Sequence, residues 1–293
     1  MPRCGTIVLA GRPNAGKSTL LNALVGQQLA ITSPKPQSTR QPVVGLRTEG
    51  DVQLVFIDPP GLLEPGYLLQ EAMLAAATDV LRHADAVLYL HPYQEQPWPN
   101  ALDASTHPAL AQAPKARLLL LTKADQAPDR ARSSLIGPDR LAVSGVTNEG
   151  IPELVSWCRD RAPERPFRYD PDDVSTQPVR FFAAEFVREA AFALLGDELP
   201  YAVAVEIDEF REDSNPQYIR ATIYVERESQ KGMVVGRGGR TIKALGTRAR
   251  QAIEEMLGTR IFLDLHVKVL RKWRSNASAL ERFGFTIPAP RRP

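Results

Sequence analysis

The stretch "GTIVLAGRPNAGKSTLLNALV", residues 5–25, runs an apolar strand pattern into a glycine-rich turn and out into a helix pattern. Gly11 to Ser18 fit G-x-x-x-x-G-K-[ST], and a strand before with a helix after is the context that gives this motif meaning. Glycines let the backbone wrap so that the N–H groups of Ala15, Gly16, Lys17, Ser18 and Thr19 point at phosphate oxygens, helped by the helix dipole. Lys17 would reach the β and γ phosphates, and Ser18 would ligate Mg²⁺. The bland alternative is a tight turn that merely contains glycine.

Working outward, "VQLVFID", "DAVLYLH", "ARLLLLTK" and "DRLAVSG" repeat the strand pattern of "GTIVLAG". Apolar on both faces, they suit a parallel sheet covered by helices. Helix patterns at 17–25, 71–81 and 151–161 alternate with them, which predicts a doubly wound α/β domain. "APERPFRYDPDDVSTQP", residues 162–178, has no periodicity and marks the linker. The predicted organisation is a nucleotide domain at 1–165, a linker at 166–177 and a C-terminal domain at 178–293.

Three further strand ends bear on the nucleotide. Asp58-Pro59-Pro60-Gly61 follows "VQLVFI", where an Asp would hold the magnesium shell and Gly61 could offer its N–H to the γ phosphate. Thr122-Lys123-Ala124-Asp125 follows "ARLLLL" at the carboxyl edge, where a base would lie. Asp125 could accept from the N1–H and exocyclic amine of guanine together, a pair that adenine does not offer. Ser144 and Gly145 end the next strand, placed for backbone contact to the base. Each tetrapeptide alone is weak; their order points to GTP, leaving a P-loop ATPase with relaxed base choice as a rival.

Beyond the linker the pattern changes to a smaller α+β domain, α-β-β-α-(GRGG)-α-β. Its glycine turn is "KGMVVGRGGRTIK", residues 231–243. Thr241 occupies the place where a dinucleotide fingerprint needs its third glycine, so this is not a second nucleotide loop. The apolar-framed G-x-x-G resembles the KH signature, whose loop clamps single-stranded nucleic acid, and the element order is that of the type II KH fold. Gly236, Gly238 and Gly239 would allow close approach, Arg237 and Arg240 would neutralise phosphates, and Lys231 and Lys243 would extend the basic rim. Val235 and Ile242, with Val234 and Leu245, are candidates for an apolar base groove, although each could equally be core. Arg248, Lys268 and Arg271 to Arg274 could enlarge the basic surface.

Charge supports this division. Residues 229–293 hold 14 Lys/Arg against 4 Asp/Glu, whereas residues 1–228 hold 22 against 30. A basic segment on an acidic chain reads as a nucleic-acid or acidic-membrane contact, with a solvated basic face as the alternative. Apolar runs such as "LLLL" at 118–121 are too short to span a bilayer, and no basic-then-apolar leader is visible. Cys4 and Cys158 lack metal spacing and read as reduced thiols in a cytosolic protein.

Together, "GRPNAGKSTLLNALVGQQLAITSPKPQSTR", the DxxG and the second glycine turn resemble the Era family of bacterial ribosome-assembly GTPases. The resemblance implies a GTP/GDP and Mg²⁺ switch that binds the 3′ end of 16S rRNA and the small ribosomal subunit. It implies a cytoplasmic monomer and, in addition, a peripheral association with the inner membrane. It makes residues 37–41, "QSTRQ", the switch I motif, with Thr39 a ligand of magnesium and the γ phosphate. It also offers Asn14 as a potassium contact near the phosphates; the plain alternative is an Asx-type turn.

Three departures stand out. The family's N-K-x-D reads Thr122-Lys-Ala-Asp125, which threatens the contacts toward guanine N7 and the P-loop. Ser144-Gly145 replaces Ser-Ala and predicts a looser loop. Asp58-Pro59-Pro60-Gly61 replaces D-T-P-G and stiffens that turn. Leu62 follows Gly61 and cannot orient an attacking water as the Gln of Ras-like enzymes does. Slow hydrolysis is expected, and an RNA-binding scaffold with little hydrolysis is the alternative.

Overall fold

Residues 3–11 form a strand with all but its first residue buried, because both of its neighbours and both covering layers are apolar. This β1 (Arg3–Gly11) runs parallel to β3 (Val52–Asp58) on one side and to β4 (Ala86–Pro92) on the other. β5 (Arg117–Thr122) and β6 (Arg140–Val143) continue the parallel sheet, while β2 (Val43–Glu49) joins β3 antiparallel at the far edge. The order is β2-β3-β1-β4-β5-β6. Helices α1 (Lys17–Val25), α2 (Leu68–Arg82) and α3 (Ile151–Arg161) accompany it.

The computed structural model describes residues 1–128, 136–196 and 198–288. It divides the chain into two units, Met1–Pro65 with Met73–Thr176, and Gly66–Ala72 with Gln177–Pro293. Among the described residues, no helix is long and apolar enough to cross a membrane. Cys4 and Cys158 are free and buried, and burial pushes the Cys158 thiol up to about 12.

The segment read as linker lies along the first unit up to Thr176. Gln53, fully buried, accepts at Oε1 from the N–H groups of Arg168 and Tyr169 at 2.9 and 3.1 Å, and its Nε2 donates to Tyr169 O. Further on, Leu46 N donates to Val174 O at 2.9 Å and Ser175 Oγ to Val44 O at 2.5 Å. A Pro-rich stretch without periodicity has no hydrogen-bonding ladder of its own, so its polar groups find partners on the sheet beside it.

The second unit is built from α4 (Val179–Leu194), β7 (Ala204–Arg211), β8 (Gln217–Val225), α5 (Glu228–Val235), α6 (Arg240–Leu257), β9 (Ile261–Val269) and the short α7 (Ala277–Arg282). β7 and β8 are antiparallel, and β8 and β9 parallel. Val187, Ala190, Val203, Ile223, Leu245 and Ala249 form the core, with Leu263, Leu265, Val267 and Val269 packed against it from one face of β9. Trp273 closes this unit, with no exposed surface, its indole Nε1 donating to Ala202 O at 2.8 Å and its ring edge-on to Phe283. Trp273→Ala is expected to cost about 3–5 kcal/mol in a denaturant unfolding measurement, from the lost burial and the orphaned carbonyl.

Candidate nucleotide site and glycine-turn surface

The carboxyl ends of the parallel strands converge on a cavity of about 470 Å³. Of the residues expected there, Asn14, Gly16, Lys17, Ser18, Thr19, Thr39, Gly61 and Lys123 line it. Ile31, Thr32, Ser33 and Pro34 line it as well, four residues that no motif flagged. They precede "QSTRQ" in a segment without helix or strand, where periodicity gives no signal.

At the base of the cavity three side-chain oxygens gather. Ser18 Oγ donates to Asp58 Oδ2 at 2.6 Å, Thr39 Oγ1 donates to the same oxygen at 3.2 Å, and the two hydroxyls stand 2.9 Å apart. Asp58 is fully buried, and its Oδ1 has no hydrogen-bond partner among the described residues. A hard divalent cation wants such an all-oxygen cluster, so these residues fit Mg²⁺, with Ser18, Thr39 and Asp58 as the donor set. Burial pushes the Asp58 carboxyl up, opposed by Lys17 and by the two hydroxyl donors. The Lys17 ammonium is pushed down by the same burial, opposed by Asp58. Phosphates above and a cation below would give each group the counter-charge that the protein alone leaves incomplete. Lys17 Nζ donates meanwhile to Arg12 O at 3.2 Å.

Around the rim, Asn14 has a left-handed backbone (φ 64°), and its Nδ2 donates to Pro34 O at 2.7 Å. That arrangement ties the phosphate loop to the segment before Thr39. Leu62 is only 3% exposed and packs with Val8, Tyr89 and Leu121, so its side chain is core and not a water ligand.

On the base side, Thr122 ends β5 and its hydroxyl donates to Ala15 O at 2.8 Å. The tie to the phosphate loop that the Asn-to-Thr departure threatened is therefore present. Lys123 is left-handed (φ 59°), and Asp125 follows in a single 3-10 turn at Ala124–Gln126. The loop after β6 is pinned where a looser one was expected. Ser144 Oγ accepts from Val146 N and Thr147 N at 3.2 Å each, and Ser144 N donates to Glu149 O at 2.9 Å. Gly145 lies so close to α1 that a Cβ would stand 2.8 Å from Thr19 O; the glycine serves close approach.

In the second unit, α5 ends at Gly236, the turn spans Arg237–Gly239, and α6 begins at Arg240. Gly236 sits at φ 73°, and a Cβ there would stand 2.1 Å from Thr241 Oγ1, so only glycine fits. Gly238 and Gly239 are left-handed too, and Arg237, Arg240 and Lys243 are exposed around the turn, with Lys231 half-buried. Val235 and Ile242 are half-buried and remain candidates for a groove. Val234 and Leu245 are not: both are fully buried core, since α5 and α6 turn those positions onto the sheet. Arg274 also leaves the basic surface, because it pairs with Glu226 at 2.6 Å, and Trp273 between the basic residues is core.

Comparison with known proteins agrees with both units. The family described as 50S ribosome-binding GTPase matches residues 6–123, and the KH domain family matches residues 198–274. GTPase Era of Desulfovibrio desulfuricans is 39% identical over 96% of this chain and 97% of its own length. GTPase Era of Geotalea daltonii is 40% identical over 96% and 97%. Among solved structures, Era in complex with MgGDPNP and nucleotides 1506–1542 of 16S ribosomal RNA superposes with a TM-score of 0.91, at 31% identity, covering 98% of this chain and all of that one. A variant of Aquifex aeolicus Era bound to GDP and AlF4⁻ gives 0.89 at 31% identity, covering 97% and 100%.

Asp58→Asn keeps the shape of the cluster and removes its charge. Magnesium affinity in the presence of nucleotide is expected to fall about 10- to 100-fold, read as the Mg²⁺ concentration that half-saturates the thermal stabilisation by GDP.

Proposed function

This chain belongs to the Era family of GTPases, and on that footing we propose a two-part switch in which bound GTP governs the grip on single-stranded RNA. Residues 1–165 bind and hydrolyse GTP, 166–177 connect, and 178–293 hold the RNA. The observation that carries the reading is the oxygen cluster of Ser18, Thr39 and Asp58 beneath Lys17, in a chain that also presents an exposed glycine turn rimmed by arginine.

Ser18, Thr39 and Asp58 would hold Mg²⁺, which would supply positive charge to offset that of the phosphates. The backbone of Gly11 to Thr19 cradles the phosphates, Lys17 offsets their charge, and the Gly61 N–H orients the γ phosphate. Asp125 selects guanine, with Lys123 and the Ser144-Gly145 backbone bounding the base. Because Leu62 cannot position water, intrinsic turnover is slow. Asn14 assists it by coordinating K⁺, since its Nδ2 is engaged with Pro34 O and its Oδ1 is the atom that a cation would use.

Lys231, Arg237, Arg240 and Lys243 neutralise phosphates around the close-approaching glycines, and Val235 and Ile242 contact bases. The RNA is the 3′ end of 16S rRNA during small-subunit assembly; the relative solved with nucleotides 1506–1542 of 16S rRNA supports that choice. The protein acts as a cytoplasmic monomer whose membrane contact, where it occurs, is peripheral.

Burial of Leu62 also favours a second reading, a nucleotide-gated RNA scaffold with little hydrolysis. Phosphate release in excess GTP and K⁺ is expected to exceed that of Lys17→Ala; equal background release in both would favour the scaffold. Replacing K⁺ by Na⁺ is expected to slow release, and an unchanged rate would remove the role of Asn14. The double change Gly238→Asp with Gly239→Asp is expected to weaken single-stranded RNA binding about tenfold or more in a filter or anisotropy titration, without altering GDP affinity.

A further inference from the structure

Thr122 stands where the family's guanine motif has Asn, and its geometry settles what that hydroxyl can and cannot do. It is 4% exposed, and its single proton goes to Ala15 O at 2.8 Å. Its backbone is fixed on both flanks, in register with Pro92 of β4 and Val143 of β6, and its carbonyl accepts from Tyr93 N at 3.1 Å. The side chain lies against the phosphate loop, where a Cβ on Gly16 would meet Thr122 Cβ and Oγ1 at 3.7 Å.

A carboxamide has two N–H donors and can serve a loop carbonyl and a second acceptor together; a hydroxyl has one. Guanine N7 is an acceptor only. With its proton committed to Ala15 O, Thr122 Oγ1 is left with lone pairs, and two acceptors do not bond. Turning the proton toward the base would strip a buried carbonyl of its partner, which is costly in this environment. The hydroxyl also ends one bond nearer the backbone than an Asn amide nitrogen would.

We infer that this protein selects guanine through its Watson–Crick edge alone and does not read N7, with Thr122 acting as a positioning residue that holds the phosphate loop in place. The inference rests on the guanine reading of Asp125 and narrows it: the base is recognised from one side only.

The test is competition for a fluorescent GDP with Mg²⁺ present, using GTP, 7-deaza-GTP, ITP and ATP on the full chain. GTP and 7-deaza-GTP, which carries carbon in place of N7, are expected to bind within about twofold of each other. ITP, lacking the exocyclic amine, is expected to bind at least about fivefold more weakly than GTP. Thr122→Asn should create a preference for GTP over 7-deaza-GTP of about five- to tenfold, the worth of one added hydrogen bond. Thr122→Val, which cannot reach Ala15 O, should weaken GTP and 7-deaza-GTP by the same factor, and Thr122→Ser should keep their ratio near one. A tenfold preference for GTP over 7-deaza-GTP in the unaltered protein, with ATP still rejected, overturns the inference and leaves the guanine reading standing. ATP binding as tightly as GTP overturns both.

Discussion

The register of the parallel strands is the constraint on which the nucleotide site depends. Val8 faces Ile57, Gly11 faces Leu90, Pro92 faces Thr122, and Thr122 faces Val143. The turns that leave those strand ends therefore start from one edge of the sheet, and the loop backbone, Asp58, Asp125 and Ser144 share a neighbourhood. A one-residue slip in any pairing would exchange the two faces of that strand and carry its terminal residue away from the edge. Close packing on both faces of β1, β3, β4 and β5 opposes such a slip, because it would put side chains of the wrong size and shape into positions already filled.

Precision in the strands leaves the polar cluster below the phosphate loop under tension. Lys17 and Asp58 are both buried, each pushed toward neutrality by lost hydration and partly held by the other. Such a pair is a weak source of stability and a strong source of ligand demand, since a divalent cation and a polyphosphate restore what burial removes. The same logic explains why Thr39 is buried although its chain segment is irregular: its hydroxyl is fastened to the carboxylate that a cation would share.

Five of the six strands in the first sheet were legible because apolar residues occupy both of their faces. β2 escaped because "VVGLRTE" is apolar for barely half its length and sits at an edge, where tertiary pairing and not local pattern makes the strand. The helices at 17–25 and 151–161 stand where the periodicity put them, while α2 begins three residues earlier than its pattern. Motif reading found the phosphate loop and the glycine turn, since both depend on backbone conformations that glycine announces. It could not separate groove from core in the second unit: Val234 and Val235 are adjacent and equally apolar, and only the rotation of α5 decides which is buried. Nor could it see that Gly145 answers a close approach to α1, because its neighbour there, Thr19, is over a hundred residues away in sequence.

Gln53 and the stretch it holds carry one more consequence. β2 is an end strand, and the outward-facing N–H of Leu46 and carbonyl of Val44 would otherwise offer a template to any extended chain. Val174 and Ser175 occupy those two groups. The segment that joins the two halves of the chain thus also caps two backbone groups of its own sheet's end strand, which narrows the edge left open to an extended chain.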